Sequence, residues 1–327
     1  MLITLGRIML AAIVVLTAGS SRALAWGCEG HQTVAIVAER LLGTATMRAV
    51  SAVLAASPID RTLARYCGHD PDLLADVSTW ADDERSVDPS TAGWHFINLP
   101  RVAGAAPIDY RKYCAGGNCV IEAIVAQYHT LTTSSDPRAR ANALRFIIHF
   151  VGDLHQPLHA ITNGDRGGNC LAIAVPGEPV REQENHNFTP NLHRVWDVDI
   201  IARFMKARGL RDARALATYV AGSTPSASLA APHAPTATDV SSWARESYAL
   251  AQTVAYGKLP VNVPTQPAAA NPLRSCDDNN HIGQRLASLH ETVTSAYEQA
   301  AVPVIVSQMR LAGERLASIL KAAFPAS

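Results

Sequence analysis

Beyond residue 25, no apolar run in this sequence approaches the roughly 20 consecutive apolar residues needed to cross a bilayer, so nothing after that point anchors the chain in a membrane. Net positive charge is missing as well. The 28 Lys and Arg balance 28 Asp and Glu, with no polybasic arm or basic patch, so whole-protein charge is not the means of holding a polyanion. The six cysteines do not fall at the spacings of a Cys-rich zinc site. No internal repeat is present. Charged residues make up only 17% of the 327, against 48% hydrophobic. That composition can bury a substantial core.

The first 25 residues read as a secretory signal. Arg7 precedes an apolar run from Ile8 to Ala18, and Ala23-Leu24-Ala25 is a small-x-small cleavage site. Cleavage after Ala25 makes Trp26 the mature N-terminus. It also removes Arg7 and Arg22 and no acids, so 26 basic residues face 28 acidic ones, a net charge of −2 with His neutral. All six cysteines then lie in a chain bound for an oxidising compartment. Cys114 and Cys119 read as a small disulfide loop, whereas Cys28, Cys67, Cys170 and Cys276 allow three pairings among which sequence does not choose.

Hydrophobic periodicity predicts helices over 31–42, 46–56, 71–83, 119–133, about 137–155, 193–207, 210–221 and 238–253. Two long helices are expected to close the chain. The first carries Ile282, Leu286, Leu289, Val293 and Tyr297, and the second Ile305, Met309, Leu316 and Ile319. Residues 170–176 are expected to form half of a small hairpin. The Pro/Ala-rich stretches 222–237 and 258–275 read as long surface loops and not as domain boundaries, because the helical pattern is alike on both sides. The expected fold is all-α, a single domain of ten or more helices with at most a small β-hairpin.

Chemistry concentrates in residues 149–159, His-Phe-Val-Gly-Asp-Leu-His-Gln-Pro-Leu-His. A helix puts His149 and Asp153, four apart, on one face. Pro157 ends the helix and leaves His159 just past it, where a turn can fold it back. The preceding residues are apolar on every face, so this helix is expected to be buried all round. Placing His and Asp there is costly unless they are paired or bind a cation. A core His–Asp hydrogen bond is the competing explanation for one such pair. His193 and Asp197 repeat the spacing on the stripe of Trp196, Ile200, Ile201 and Phe204, and two inward His/Asp pairs read as opposite walls of a metal site.

The candidate ligands in order are Trp26, His31, Asp82, His95, His149, Asp153, His159, His193 and Asp197. They lie in Trp-Gly-x-x-Gly-His (26–31), Trp-Ala-Asp (80–82), His-Phe-Ile (95–97), the 149–159 stretch, Gly-Gly-Asn (167–169) and Asn-Leu-His-x-x-Trp-Asp (191–197). This series closely resembles the secreted single-strand-specific zinc nucleases of the mung bean nuclease type, distant relatives of bacterial zinc-dependent phospholipase C. The resemblance implies a phospholipase C/nuclease-type fold over 26–327 and three zinc ions. Asp82, His95, His149 and Asp153 would hold the first. The Trp26 amine and carbonyl, His31 and a shared Asp153 would hold the second, and His159, His193 and Asp197 the third. A free α-amine titrates near ~8, so a metal can deprotonate and bind it.

The implied activity is hydrolysis of single-stranded DNA and RNA to 5′-phosphorylated products, with 3′-nucleotidase activity. The expected course is in-line attack on phosphorus by a hydroxide between the two zincs that share Asp153, with Asp82 orienting it. Three zinc ions with three aspartates leave excess positive charge, which a phosphate ester answers. Arg85 matches the family's phosphate-facing basic residue, against an ordinary helix-end arginine. Phe96 matches its base-stacking aromatic, against ordinary core packing. Asn98 departs from the acid that fungal members carry for base contact, which leaves base preference open. His155 is expected in a supporting or surface role, and His69, His129, His186, His233, His281 and His290 on the surface. The expected protein is a secreted or periplasmic monomer without a membrane anchor. A phospholipase C-like enzyme with a lipid substrate is the alternative, and a zinc-storing protein the non-enzymatic one.

Overall fold

The computed structural model describes residues 26–102, 109–183, 187–223, 231–265, 276 and 291–325. The signal segment, most of the first expected C-terminal helix, and His186, His281 and His290 lie outside the described residues.

The central helix is α6, Pro137–His155. Its ends are written locally. Asp136 accepts hydrogen bonds from the Arg138 and Ala139 amides, Pro137 occupies the first turn, and extended Gln156 before Pro157 stops it. Every residue from Ala143 to His155 is buried. Its apolar members, among them Leu144, Ile147, Phe150 and Leu154, each contribute about 2 kcal/mol by leaving water.

Around α6 pack α1 (Cys28–Leu41), α2 (Thr44–Ala56), two short helices α3 (Leu73–Val77) and α4 (Trp80–Glu84), and α5 (Val120–Thr133). Leu192–Arg194 (α7) runs through a π-helical turn, Val195–Asp199, into α8, Ile200–Arg208. Then come α9 (Ala213–Gly222), α10 (Ala237–Leu250, started by a Thr236/Asp239 capping box), a second π-helical segment Ala251–Tyr256, and α11, Ser295–Ala323. The fold is all-α, as expected from the periodicity.

The small β elements differ from expectation. Ile173–Ala174 (β1) pairs in parallel with Glu291–Thr292 (β4), while Val175 just after it closes a single antiparallel bridge with Glu178 across a tight turn. The hairpin is Arg181–Gln183 (β2) with Asn187–Thr189 (β3). Two helical assignments also change. The expected helix over 71–83 breaks between Val77 and Trp80, which frees the Ser78 carbonyl for a histidine described below. Tyr297 belongs not to a separate helix but to the first turn of α11, the same helix as Ile305 and Ile319, because the Thr294 hydroxyl accepts from the Tyr297 amide and caps it there.

The open cysteine pairings resolve as Cys28–Cys67 and Cys170–Cys276, and Cys114–Cys119 closes its short loop. By closing a 39-residue separation, Cys28–Cys67 restricts the unfolded chain by about 4 kcal/mol. It ties the start of α1 to the loop before α3. No helix among the described residues is long and apolar enough to cross a membrane.

Candidate metal centre

Eight of the nine candidate ligands offer side chains, and all eight are buried. α1 supplies His31, α4 supplies Asp82, and a 3-10 segment, Pro89–His95, ends on His95. α6 supplies His149 and Asp153, the Pro157–Ala160 turn His159, α7 His193, and the π-turn Asp197. They gather into three groups that could each hold a metal ion: Asp82, His95 and His149; His31, His149 and Asp153; and His159, His193 and Asp197. His149 thus stands in two groups, where the family resemblance implies one. Asp153 is within 3.3 Å of His31 Nε2, 3.0 Å of His95 Nδ1 and 3.2 Å of His149 Nε2, which makes it the hinge between the first two groups.

The helical spacings work as the sequence implies. The i, i+4 pairs meet at 3.2 Å (His149 Nε2 to Asp153 Oδ2) and 3.4 Å (His193 Nε2 to Asp197 Oδ2). Pro157 folds His159 back so that its Nε2 is 3.0 Å from His193 Nε2. Trp26, fully buried, packs its Cβ close to Gly30, and the amide of Gly27 donates to the Asp197 carbonyl at 2.9 Å. The Trp26 main chain therefore adjoins both Asp197 and the start of α1.

Hydrogen bonds on the far side of the rings fix their tautomers. His149 Nδ1 donates to the Ser78 carbonyl at 2.7 Å, His159 Nδ1 to the His95 carbonyl at 2.7 Å, and His193 Nδ1 to the Gly167 carbonyl at 2.8 Å. A carbonyl only accepts, so each Nδ1 carries the proton; the neutral His159 and His193 rings turn a bare Nε2 inward, and His149 turns its Nε2 toward Asp153. Two bare nitrogens at 3.0 Å repel unless a cation lies between them. Asp153 Oδ1 and Asp197 Oδ2 are buried without a hydrogen-bond partner, and His31 Nε2 is off-line for one.

These orphaned atoms test the fit of a metal directly. Ligand atoms about 2.1 Å from a tetrahedral zinc stand about 3.4 Å apart. The observed separations, from 3.0 Å for His159–His193 to 3.8 Å for Asp82 with His95 and with His149, bracket that value. The donor set is nitrogen and oxygen with no thiolate, which suits zinc.

Electrostatics of the bare groups pull in opposite directions. Burial lowers the His193 pKa to about 3, helped by His159, and lowers that of His95 to about 4. Burial would lower His149 too, but the carboxylates of Asp153 and Asp82 outweigh it and raise it to about 9. Burial pushes Asp197 well above the carboxylate range, while the histidines around Asp153, His149 foremost, hold it well below despite its burial. A divalent cation in each group would replace these conflicting demands with neutral histidines and ionised aspartates.

The three proposed substrate contacts sit at the edge of this centre. Arg85 NH2 is 3.1 Å from Asp82 Oδ1, with its side chain 23% exposed. Residues 96–99 run beside 159–162, with the Ile97 amide donating to the His159 carbonyl, the Thr162 amide to the Leu99 carbonyl, and the Leu99 amide back to the Ile97 carbonyl around Asn98. Ile97 and Leu99 are buried in the core, whereas Phe96 and Asn98 are half-buried. Phe96 stands outside the hydrophobic core cluster.

Two histidine expectations are settled. His69, His129 and His233 are exposed. His155 is not on the surface: it is fully buried, its Nδ1 donates to the Val151 carbonyl, and its Nε2 accepts from Arg315 at 2.7 Å.

Sequence reasoning missed Gln156, whose amide donates to Asp197 Oδ1 at 2.6 Å while its carbonyl accepts from the Leu158 amide. That leaves Asp197 Oδ2 to face His193. It also missed Gly152, where a Cβ would come within 2.9 Å of His31 Nδ1. A glycine inside an otherwise apolar buried helix was the available signal.

A family model described as S1/P1 Nuclease matches residues 26–325. Nuclease S1 of Aspergillus oryzae is 33% identical over 54% of this chain and 54% of its own length. Nuclease P1 of Penicillium citrinum is 29% identical over 59% of this chain and 64% of its own. Endonuclease 3 of Arabidopsis thaliana is 29% identical over 98% of this chain and 96% of its own. Against the two fungal relatives, the chain spans between half and two thirds of their length.

Proposed function

The chain belongs to the S1/P1 nuclease family, and from that premise we propose that it is a secreted or periplasmic, monomeric phosphodiesterase with three zinc ions. It hydrolyses single-stranded DNA and RNA to 5′-phosphorylated products and removes 3′ phosphates from nucleotides. One observation carries the reading: three buried His/Asp groups, two of them joined through His149 and Asp153, and the third with the bare nitrogens of His159 and His193 turned toward one another.

In this reading Asp82, His95, His149 and Asp153 hold the first ion, Trp26, His31 and Asp153 the second, and His159, His193 and Asp197 the third. Bound there, zinc supplies Lewis acidity toward phosphoryl oxygens and acidifies water to near neutrality. The chain's residues do the positioning. Asp153, shared by two groups, fixes their spacing. Asp82 orients the nucleophile and steers Arg85, whose guanidinium neutralises the phosphate. Phe96 offers its ring to an unpaired base beside the centre, with Asn98 two residues on. With Nδ1 committed to carbonyls and Nε2 facing the ion positions, His149, His159 and His193 would spend their one free lone pair on metal, so none of the three serves as a free general base.

The ligand role of Trp26 requires residues 1–25 to be removed, which fits a signal segment whose cleavage creates a functional amine. Residues 26–327 then form a single zinc-dependent nuclease domain.

A substrate panel tests the function. Single-stranded DNA, RNA, a 3′-mononucleotide and a phosphatidylcholine analogue would be incubated with the secreted protein and their products sized and end-labelled. Cleavage of the DNA and RNA to products with 5′-phosphate ends, and release of inorganic phosphate from the 3′-mononucleotide, is the expected result. Turnover confined to the lipid analogue would replace the nuclease with a phospholipase C-like enzyme.

A further inference from the structure

Asp165 is fully buried in the loop that joins the His159 turn to the Gly-Gly-Asn sequence. Its carboxylate accepts from the Asn163 amide at 3.0 Å, and the Gly168 amide also bonds it. Amides from both sides of the loop therefore converge on one side chain and close residues 163–168 into a ring. The closure has a task. Arg166, Gly167 and Gly168 are consecutive left-handed residues, with φ of 57°, 64° and 85°, and an arginine stays in that region only where its surroundings dictate it. The peptide so held offers the Gly167 carbonyl to His193 Nδ1.

The ring is tied to the rest of the molecule by a residue outside every recognised motif. The Tyr256 hydroxyl bonds both Asp165 oxygens, at 2.8 and 3.0 Å. Tyr256 ends the π-helical segment Ala251–Tyr256. Its neighbour Ala255 accepts from the Tyr297 hydroxyl at 2.7 Å, and Tyr297 in turn accepts from Trp196 Nε1 at 2.7 Å, next to Asp197. The same short segment thus reaches both walls of the third group: His193 through Asp165 and Gly167, and Asp197 through Tyr297 and Trp196. π-helical turns are uncommon and gather at functional sites.

We propose that Tyr256 and Asp165 are positioning residues for the third metal, locking the Gly167 carbonyl where it holds His193 with its Nε2 turned toward His159 and Asp197. This rests on the zinc-binding reading above. Neither residue touches the ion or the substrate. Their effect runs through the orientation and basicity of one ligand, as outer contacts of metal-bound histidines do.

The test is zinc release. Full-length secreted wild-type and Tyr256→Phe proteins would be dialysed against graded chelator, the zinc per chain counted by atomic absorption, and melting temperature recorded alongside. Tyr256→Phe keeps the ring and removes only the hydroxyl. It is expected to drop from three zinc ions to two at a chelator concentration about tenfold lower than wild type, with the other two ions leaving where they leave in wild type. Excess zinc should restore the third ion. Asp165→Asn keeps the side chain's size and should show the same selective loss, which serves if Tyr256→Phe does not accumulate. A purely structural role would lower the melting temperature and move all three ions together, or none, and either result overturns the inference while leaving the function intact. A wild-type protein that takes up no zinc would instead overturn the function and this inference with it.

Discussion

His159 and His193 face each other with their Nε2 atoms 3.0 Å apart, and each ring's Nδ1 is committed to a backbone carbonyl. Held this way, neither ring can rotate away from the other or donate a proton toward it. The arrangement makes sense around a cation, and it predicts what happens when one wall is removed. His193→Ala should leave His159 and Asp197 unable to retain the third zinc, with two ions remaining per chain in atomic absorption. kcat on single-stranded DNA should fall by about 100-fold or more, the range for losing a principal source of transition-state charge stabilisation.

Gly152→Ala reverses an ordinary rule. Replacing glycine by alanine inside a helix normally stabilises by up to about 1 kcal/mol. Here the added methyl would sit 2.9 Å from His31 Nδ1 and 3.9 Å from the Trp26 ring. The prediction is a protein of unchanged helix content by circular dichroism that binds the second zinc at least about tenfold more weakly, measured by chelator competition.

Phe96→Ala separates binding from chemistry. Stacking of a base on an aromatic ring is worth about 1–3 kcal/mol, so KM for single-stranded DNA should rise by about 5- to 150-fold with kcat little changed. Steady-state kinetics check this. A KM unchanged by the substitution would place Phe96 away from the bound base.

His155 predicts an acid-sensitive stability that does not depend on metal. Burial, aided by Arg315, lowers its pKa to about 3, against 6.5 in the unfolded chain. The unfolded state therefore takes up a proton that the folded state refuses. The stability contributed by keeping His155 neutral is fully present above pH 6.5 and is lost as pH falls from there toward 3. With chelator present throughout, wild-type melting temperature should drop more steeply between pH 6.5 and 4 than that of His155→Gln. Parallel pH profiles would contradict it.

Sequence carries some of these relationships and not others. The α6 boundaries could be read off residue by residue because Asp136, Pro137 and Pro157 are local signals, and the His149–Asp153 and His193–Asp197 pairs follow from helical spacing alone. The grouping of His149 with two sets, the Cys28–Cys67 and Cys170–Cys276 bonds, and the carbonyls of Ser78 and Gly167 behind the histidines depend on contacts between distant segments. No periodicity encodes them. Tyr256 lies 91 positions from Asp165 and in no motif, so only the folded chain brings its hydroxyl to that carboxylate. The break after Val77 was hidden because residues 71–83 carry enough apolar spacing for a continuous helix. The fold spends that continuity on exposing one carbonyl.

The most direct measurement is native mass spectrometry of the secreted protein after Edman sequencing of its N-terminus, paired with single-stranded DNA cleavage before chelation, after it, and after zinc is returned. The account predicts a chain beginning at Trp26, three zinc ions per molecule, and cleavage that stops with chelator and returns with zinc. A chain that begins upstream of Trp26, or that carries no zinc, and yet cleaves at full rate in chelator would contradict it.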